Sequence, residues 1–225
     1  RASDLRGILN GVDRDEWNPE DDEHIAAAFS AKKPAGKAEC KTALLRELGL
    51  ATDRDVPLVG VVSRLWEQKG LDLAVSVLPK FLRKDSLQFV LLGSGDAWLE
   101  NEFKRLAVDF PQLCAVRIGY DNGLSHRIEA GCDFFLMPSR FEPCGLNQMY
   151  SMAYGTLPIV RATGGLADTV SGWDGKKKGT GIIFEHADQG GIEWALNRAL
   201  ELYQQPATYR SLQKTAMAAE FSWAK

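Results

Sequence analysis

From Val56 onward, six short apolar runs alternate with longer helical patterns, and this alternation constrains the fold more than any other property of the chain. The runs are Leu58 to Val62, Gln88 to Leu92, Ala115 to Ile118, Asp133 to Met137, Leu157 to Val160 and Gly181 to Phe184. Several are apolar at successive positions rather than at every second one, the pattern of strands covered by helices on both faces. Helical periodicity fills the intervals at Leu71 to Leu82, Trp98 to Val108, Leu124 to Gly131, Leu146 to Tyr154 and Leu166 to Ser171, and continues at Ile192 to Tyr203 and Ala207 to Ala219. Strands joined by helices pair in parallel. The chain therefore reads as an α/β fold with a doubly wound, Rossmann-like parallel sheet over residues 56–225. An irregular lead-in over residues 1–55 precedes it, in which Arg46-Glu47-Leu48-Gly49-Leu50 closes a short helix on a glycine cap. Pro79 falls inside the first helical pattern after the first strand and is expected to end or kink it.

In such sheets ligands bind outside the carboxyl ends of the strands, and the usual order 3-2-1-4-5-6 opens a crevice between the first and fourth strands. The polar outliers all fall at those ends: Ser63, Arg64 and Lys69; Gly93-Ser94-Gly95-Asp96; Gly119-Tyr120-Asp121; Ser139, Arg140 and Glu142; and Thr163-Gly164-Gly165. Two of the loops are glycine-rich and open helices: Phe141-Glu142-Pro143-Cys144-Gly145-Leu146-Asn147-Gln148 and Ala162-Thr163-Gly164-Gly165-Leu166-Ala167-Asp168. Unpaired amides and aligned peptide dipoles at a helix start favour an anion. Arg64 offers a planar fork for phosphate oxygens and Lys69 a point charge, so together they can neutralise a diphosphate without a metal. A carboxylate, Glu142, stands in the same loop, which a bare phosphate cradle does not need. The combination points to an enzyme acting on a phosphorylated, sugar-bearing substrate. The chain has no G-x-x-x-x-G-K-[ST] loop and no clean G-x-G-x-x-G after its first strand, which disfavours NTPase-type phosphoryl transfer and a dinucleotide dehydrogenase. Blander readings stand beside these: Glu142 as a turn residue, Gly164-Gly165 as a packing device, Cys144 as a small packed side chain, Tyr120 as either a base-stacking ring or a rim contact.

Composition narrows the partners. The 225 residues carry a formal net charge of -3, and the one basic run, Lys176-Lys177-Lys178, lies in a glycine-flanked loop, so no nucleic-acid partner is expected. No apolar stretch reaches membrane-span length, and no membrane partner is expected. Cys40, Cys114, Cys132 and Cys144 lack metal-ligand spacing, and no metal is expected; Cys114 and Cys132 read as buried thiols in a reducing, intracellular compartment. His126 and Arg127 lie on a predicted helix and read as structural, and His24 and His186 join no constellation. The chain opens on Arg1-Ala2-Ser3-Asp4 and stops at Phe221-Ser222-Trp223-Ala224-Lys225, after a residue suited to start a helix, and so is expected to be a piece of a longer polypeptide.

These residues together closely resemble the glycogen and bacterial-type starch synthases, retaining glucosyltransferases of the GT-B fold. The resemblance spans Gly7 to Asp13 with Trp17-Asn18-Pro19, Ser63 to Gly70, Leu91 to Asp96, Gly119-Tyr120 with Ser125-His126-Arg127-Ile128, Pro138 to Gln148, Tyr154 to Val170, and Phe221-Ser222-Trp223. It implies that residues 1–225 are the carboxy-terminal, nucleotide-sugar-binding half of a two-domain enzyme whose amino-terminal acceptor domain is absent. The donor implied is ADP-glucose and the acceptor the non-reducing end of an α-1,4-glucan, in the cytoplasm or, in a plant or alga, the plastid. No cofactor is implied. By the same resemblance Arg64 and Lys69 match the diphosphate-binding pair, and Glu142 the glutamate beside the donor's anomeric carbon. Cys144, Gly145, Leu146, Asn147, Thr163, Gly164 and Gly165 match sugar and phosphate positions, Tyr120 the adenine side, and Gly93 and Gly95 nucleotide-binding glycines at the second strand's end. A second glutamate found in many retaining relatives is Tyr150 here, and Asn147 replaces a common Thr. A related retaining glycosyltransferase using UDP-glucose or another acceptor, and a non-catalytic nucleotide-sensing or glucan-docking module, remain as alternatives.

Overall fold

A computed structural model of the protein describes residues 7–176 and 178–223; Arg1-Ala2-Ser3-Asp4, Lys177 of the basic run and the terminal Ala224-Lys225 lie outside the described residues. The strands are β1 (Leu58–Leu65), β2 (Gln88–Gly95), β3 (Cys114–Ile118), β4 (Phe134–Met137), β5 (Leu157–Arg161) and β6 (Ile182–Phe184). All pair in parallel, in the order β3-β2-β1-β4-β5-β6. The helices are α1 (Ala35–Leu48), α2 (Leu71–Leu82), α3 (Ala97–Asp109), α4 (Asn122–Gly131), α5 (Asn147–Ala153), α6 (Gly164–Thr169), α7 (Gln189–Tyr203) and α8 (Pro206–Met217).

The continuous apolar runs have a direct cause. Successive side chains point to opposite faces of a strand, and both faces are buried. Leu58, Val90, Leu92 and Phe135 join α1 and α4 in one cluster. Their neighbours Val59, Val61, Phe89, Leu91, Phe134 and Leu136 join the larger core on α2, α3 and α7. Gly49 ends α1 in the left-handed region at φ 71°, as its sequence context requires.

Two expectations change. Pro79 does not end α2, which runs on to Leu82; the proline forgoes only its own bond back to the Val75 carbonyl, and the Arg83 amide still closes the last turn on the Pro79 carbonyl at 3.1 Å. β1 and β2 each extend three residues beyond the expected Val62 and Leu92, with Ser63, Arg64 and Leu65 in register with Gly93, Ser94 and Gly95. This extension explains the glycines. A Cβ at Gly93 would lie 1.9 Å from the Ser63 carbonyl oxygen, and one at Gly95 2.5 Å from that of Leu65.

Candidate active site

The crevice at the reversal of strand order, between β1 and β4, holds a cavity of about 510 Å³. Arg64, Lys69, Ser139, Glu142, Cys144, Gly145, Leu146 and Asn147 line it. Lys69 lies in a single 3₁₀ turn, Glu67–Lys69, that Gly70 terminates at φ 67°. A side chain at Gly70 would place its Cβ 2.1 Å from the Pro138 oxygen, so only glycine lets the loops after β1 and β4 meet.

Their meeting creates the central contact. Lys69 Nζ donates to Glu142 Oε2 at 2.6 Å, and Ser139 Oγ donates to the same oxygen at 3.1 Å. Glu142 is 7% exposed. Arg64, also on the wall, makes no ion pair among the described residues. The site thus offers one neutralised cation and one free one, beside a carboxylate held in place.

A frame outside the cavity fixes these loops. Arg140 grips Asp72 of α2 with both guanidinium nitrogens, at 2.6 and 2.7 Å, and donates to the Glu67 carbonyl at 2.6 Å. The Arg140 pairing holds the Asp72 carboxyl below its ordinary value. Gln68 Nε2 reaches the Phe141 carbonyl at 2.9 Å, and Arg161 reaches the Ser139 carbonyl at 2.8 Å. Arg161 carries no motif signal; its role depends on β5 lying next to β4.

The two glycine-rich loops do different jobs. At the start of α5, Gly145, Leu146 and Asn147 border the cavity, and the Met149 and Tyr150 amides close on the Leu146 carbonyl at 2.8 and 3.0 Å, which leaves the Asn147 and Gln148 amides ahead of the first helical hydrogen bond. Asn147 spends its side-chain Nδ2 on the Val62 carbonyl at 2.7 Å, tying α5 to β1. Thr163, Gly164 and Gly165, expected at sugar and phosphate positions, are not among the residues that line this cavity. The Gly165 amide donates instead to the carbonyls of Glu142 and Pro143, at 3.1 and 3.2 Å. Added Cβ atoms at Gly164 and Gly165 would fall 2.1 Å from the Glu142 oxygen and 2.2 Å from the Cys144 oxygen. The second loop therefore buttresses the first.

A second cavity of about 310 Å³ adjoins the first, sharing Val62, Ser63, Arg64 and Asn147. Gly93 and the 88% exposed Tyr120 line it. Gly95 lies outside both cavities, its amide donating to Glu100 Oε1 at 3.0 Å; strand packing accounts for this glycine. Asp96 and Asp121 cap α3 and α4 by accepting amide hydrogen bonds. His126 is structural: its ring stacks on Trp17 at 3.9 Å, and Nδ1 meets Asp22 Oδ2 at 2.8 Å. Cys144 Sγ accepts from the Asn10 amide at 3.3 Å, which brings the lead-in to the rim. Among the described residues no group of three or more His, Cys, Asp or Glu could hold a metal, and no helix is long and apolar enough to cross a membrane.

A family model described as "Glycosyl transferases group 1" matches residues 49–216. The chain belongs to this family. As a group 1 glycosyltransferase it is 54% identical over 223 residues to the glycogen synthase of Anaeromyxobacter sp. (strain Fw109-5), covering 99% of this chain and 47% of that protein. It is 50% identical over 226 residues to the glycogen synthase of Cellvibrio japonicus (strain Ueda107), again covering 99% and 47%. The chain thus spans about half the length of these relatives. The catalytic domain of starch synthase IV from Arabidopsis thaliana, solved bound to ADP and acarbose, superposes with a TM-score of 0.89 at 41% identity, over 99% of this chain and 47% of that one. The carboxy-terminal domain of a group 1 family protein (LpcC) from Francisella tularensis shares the fold alone, with a TM-score of 0.67 at 13% identity, over 95% of this chain and all of that one. The open α/β sheet is that of GT-B glycosyltransferase domains.

Proposed function

We propose that this chain is the carboxy-terminal, donor-binding half of a glycogen synthase that transfers glucose from ADP-glucose to the non-reducing end of an α-1,4-glucan with retention. The observation that carries the reading is the Lys69–Glu142 pair in the β1/β4 crevice, with the unpaired Arg64 on the same wall. Support for the donor is the 41% identical starch synthase IV domain, which was solved with ADP.

In this reading the diphosphate lies against Arg64, Lys69 and the open start of α5. As the bond to glucose breaks, negative charge grows on the diphosphate and positive charge on the anomeric carbon. Preorganised cations stabilise the first and the Glu142 carboxylate the second. Ser139 and Lys69 hold that carboxylate in one orientation. Charge neutralisation is assigned to the two side chains, with no cofactor in the scheme. The crevice carries one carboxylate rather than a facing pair, so a front-face route, in which the leaving phosphate assists the acceptor, fits better than double displacement. The glucan and the amino-terminal domain of the same polypeptide are the partners in this scheme, and a cytoplasmic or plastid location is part of the same proposal.

The test is elongation of a labelled maltooligosaccharide with ADP-glucose. The chain by itself binds ADP but gives no elongation, the full-length enzyme elongates, and Glu142→Gln in the full-length enzyme stops elongation without loss of fold. Elongation by the chain alone, or full activity of the variant, contradicts the assignment.

A further inference from the structure

One buried carboxyl next to the site has no structural employment. Glu129, on α4, is 1% exposed and lines the second cavity, and its Oε2 has no hydrogen-bond partner among the described residues. An unpaired polar atom at such depth costs free energy unless something satisfies it. The nearby buried cation does not: Lys37 Nζ donates to the Ala130 carbonyl at 2.9 Å and to Thr156 Oγ1 at 2.7 Å.

Its placement suggests what does. Asn122, Ser125 and Glu129 share one face of α4, and all three line the cavity. Side chains on a helix lean toward its amino terminus, which aims Glu129 up toward the open end of the crevice. Asn122 marks the Tyr120 end of the cavity. At the other end Tyr150, one turn along α5 from Asn147, leads back to Arg64 and the first cavity. A nucleotide with its diphosphate at Arg64 and its base on the exposed Tyr120 ring spans this cavity with its ribose over the floor. Tyr150 brings no carboxyl to that floor, and Glu129 supplies one from the neighbouring helix.

We propose that Glu129 is a specificity-determining residue for the nucleotide sugar, its carboxyl accepting a hydrogen bond from a ribose hydroxyl. The inference rests on the nucleotide-site reading above. Burial pushes the Glu129 carboxyl well above its ordinary value, opposed by Lys37, so a ligand hydroxyl that satisfies the group stabilises a site otherwise left incomplete.

The experiment compares the chain with Glu129→Met and Glu129→Gln, measuring binding of ADP, 2′-deoxy-ADP, 3′-deoxy-ADP and IDP by ligand-observed NMR. The wild type should prefer ADP over at least one deoxy analogue by about tenfold, the scale of a hydrogen bond to a charged or strongly polar group. Glu129→Met should bind ADP weaker by a similar factor and lose that preference, Glu129→Gln should keep part of it, and the ADP-to-IDP ratio should be unchanged throughout. Methionine replaces an unpaired buried carboxyl, so the variant should melt no lower than the wild type. Discrimination that survives in Glu129→Met overturns the proposal. Loss of the ADP-to-IDP preference instead assigns Glu129 to the base amine and also overturns it. If the folded wild type binds ADP but does not discriminate, only this inference falls; if it binds none of the nucleotides, the nucleotide-site reading falls with it.

Discussion

Glu142→Gln should tighten ADP binding. Without ligand, Lys69 is held by Glu142 at 2.6 Å, with side chains 19% and 9% exposed. A phosphate that recruits Lys69 must share it with, or take it from, that carboxylate. A hydrogen bond to a charged group contributes about 1.5–3 kcal/mol net. The pair faces an open cavity, so solvent screening argues for the lower end, about 1.5 kcal/mol. Glutamine keeps the shape and the Ser139 contact but removes the charge, so ADP should bind up to about tenfold more tightly. The gain should shrink in high salt, where the Debye length falls to about 3 Å at 1 M. It should vanish in the Lys69→Ala background, because no cation remains to be released. ADP-glucose should gain less than ADP if Glu142 faces the donor sugar. Calorimetric titration of the wild type, the two single variants and the double variant at two salt concentrations measures all of this. Unchanged or weaker ADP binding by Glu142→Gln would refute the competition argument.

Other outcomes follow from the same contacts. Tyr120→Ala should leave stability unchanged, because the ring is 88% exposed, yet weaken ADP by about 1–3 kcal/mol if the base stacks there; equal affinity in a titration contradicts that placement. Gly165→Ala drives a Cβ to 2.2 Å from the Cys144 oxygen and should cost about 1–3 kcal/mol in urea unfolding, with a loss of ADP affinity as the loop it supports shifts. Arg140→Ala should weaken ADP binding although Arg140 is a frame residue, and Asp72 should then titrate higher than in the wild type by NMR. Burial pushes Lys37 from 10.5 down to about 8, so between those values the unfolded chain holds more protons than the folded one. Lys37 therefore weakens the fold below pH 8, and the penalty lifts as pH rises, by at most about 3 kcal/mol. The buried thiols Cys114 and Cys132 are pushed up and act in the opposite direction, so the quantity to follow is wild type minus Lys37→Met; a difference flat across pH 8 to 10.5 contradicts the reading.

Much of this was legible in the sequence, for local reasons. Apolar runs buried on both faces mark themselves, and with parallel pairing and the usual winding they fixed the crevice where Arg64, Lys69 and Glu142 meet. The rest depended on contacts between distant segments. That Gly164-Gly165 braces the Glu142 loop cannot be told from phosphate binding by composition, since both need glycine at a helix start. Arg140, a polar outlier at a strand end, shows its frame role only when α2 is placed beside the loop, and Arg161 only when β5 is. The stack of His126, Trp17 and Tyr150 joins the lead-in to two helices and has no sequence period. Glu129 did leave a trace: one carboxylate between Ile128 and Ala130, on a helix whose flanking residues are fully buried.

The central claim is a preformed nucleoside diphosphate site built on Arg64 and Lys69. Its most direct test is calorimetric titration of the chain with ADP and UDP, repeated on an Arg64→Ala/Lys69→Ala double variant. The wild type should show saturable ADP binding and weaker UDP binding, and the double variant should lose ADP binding with the fold intact. No ADP binding to the wild type, or ADP binding that survives the loss of both cations, would contradict that claim.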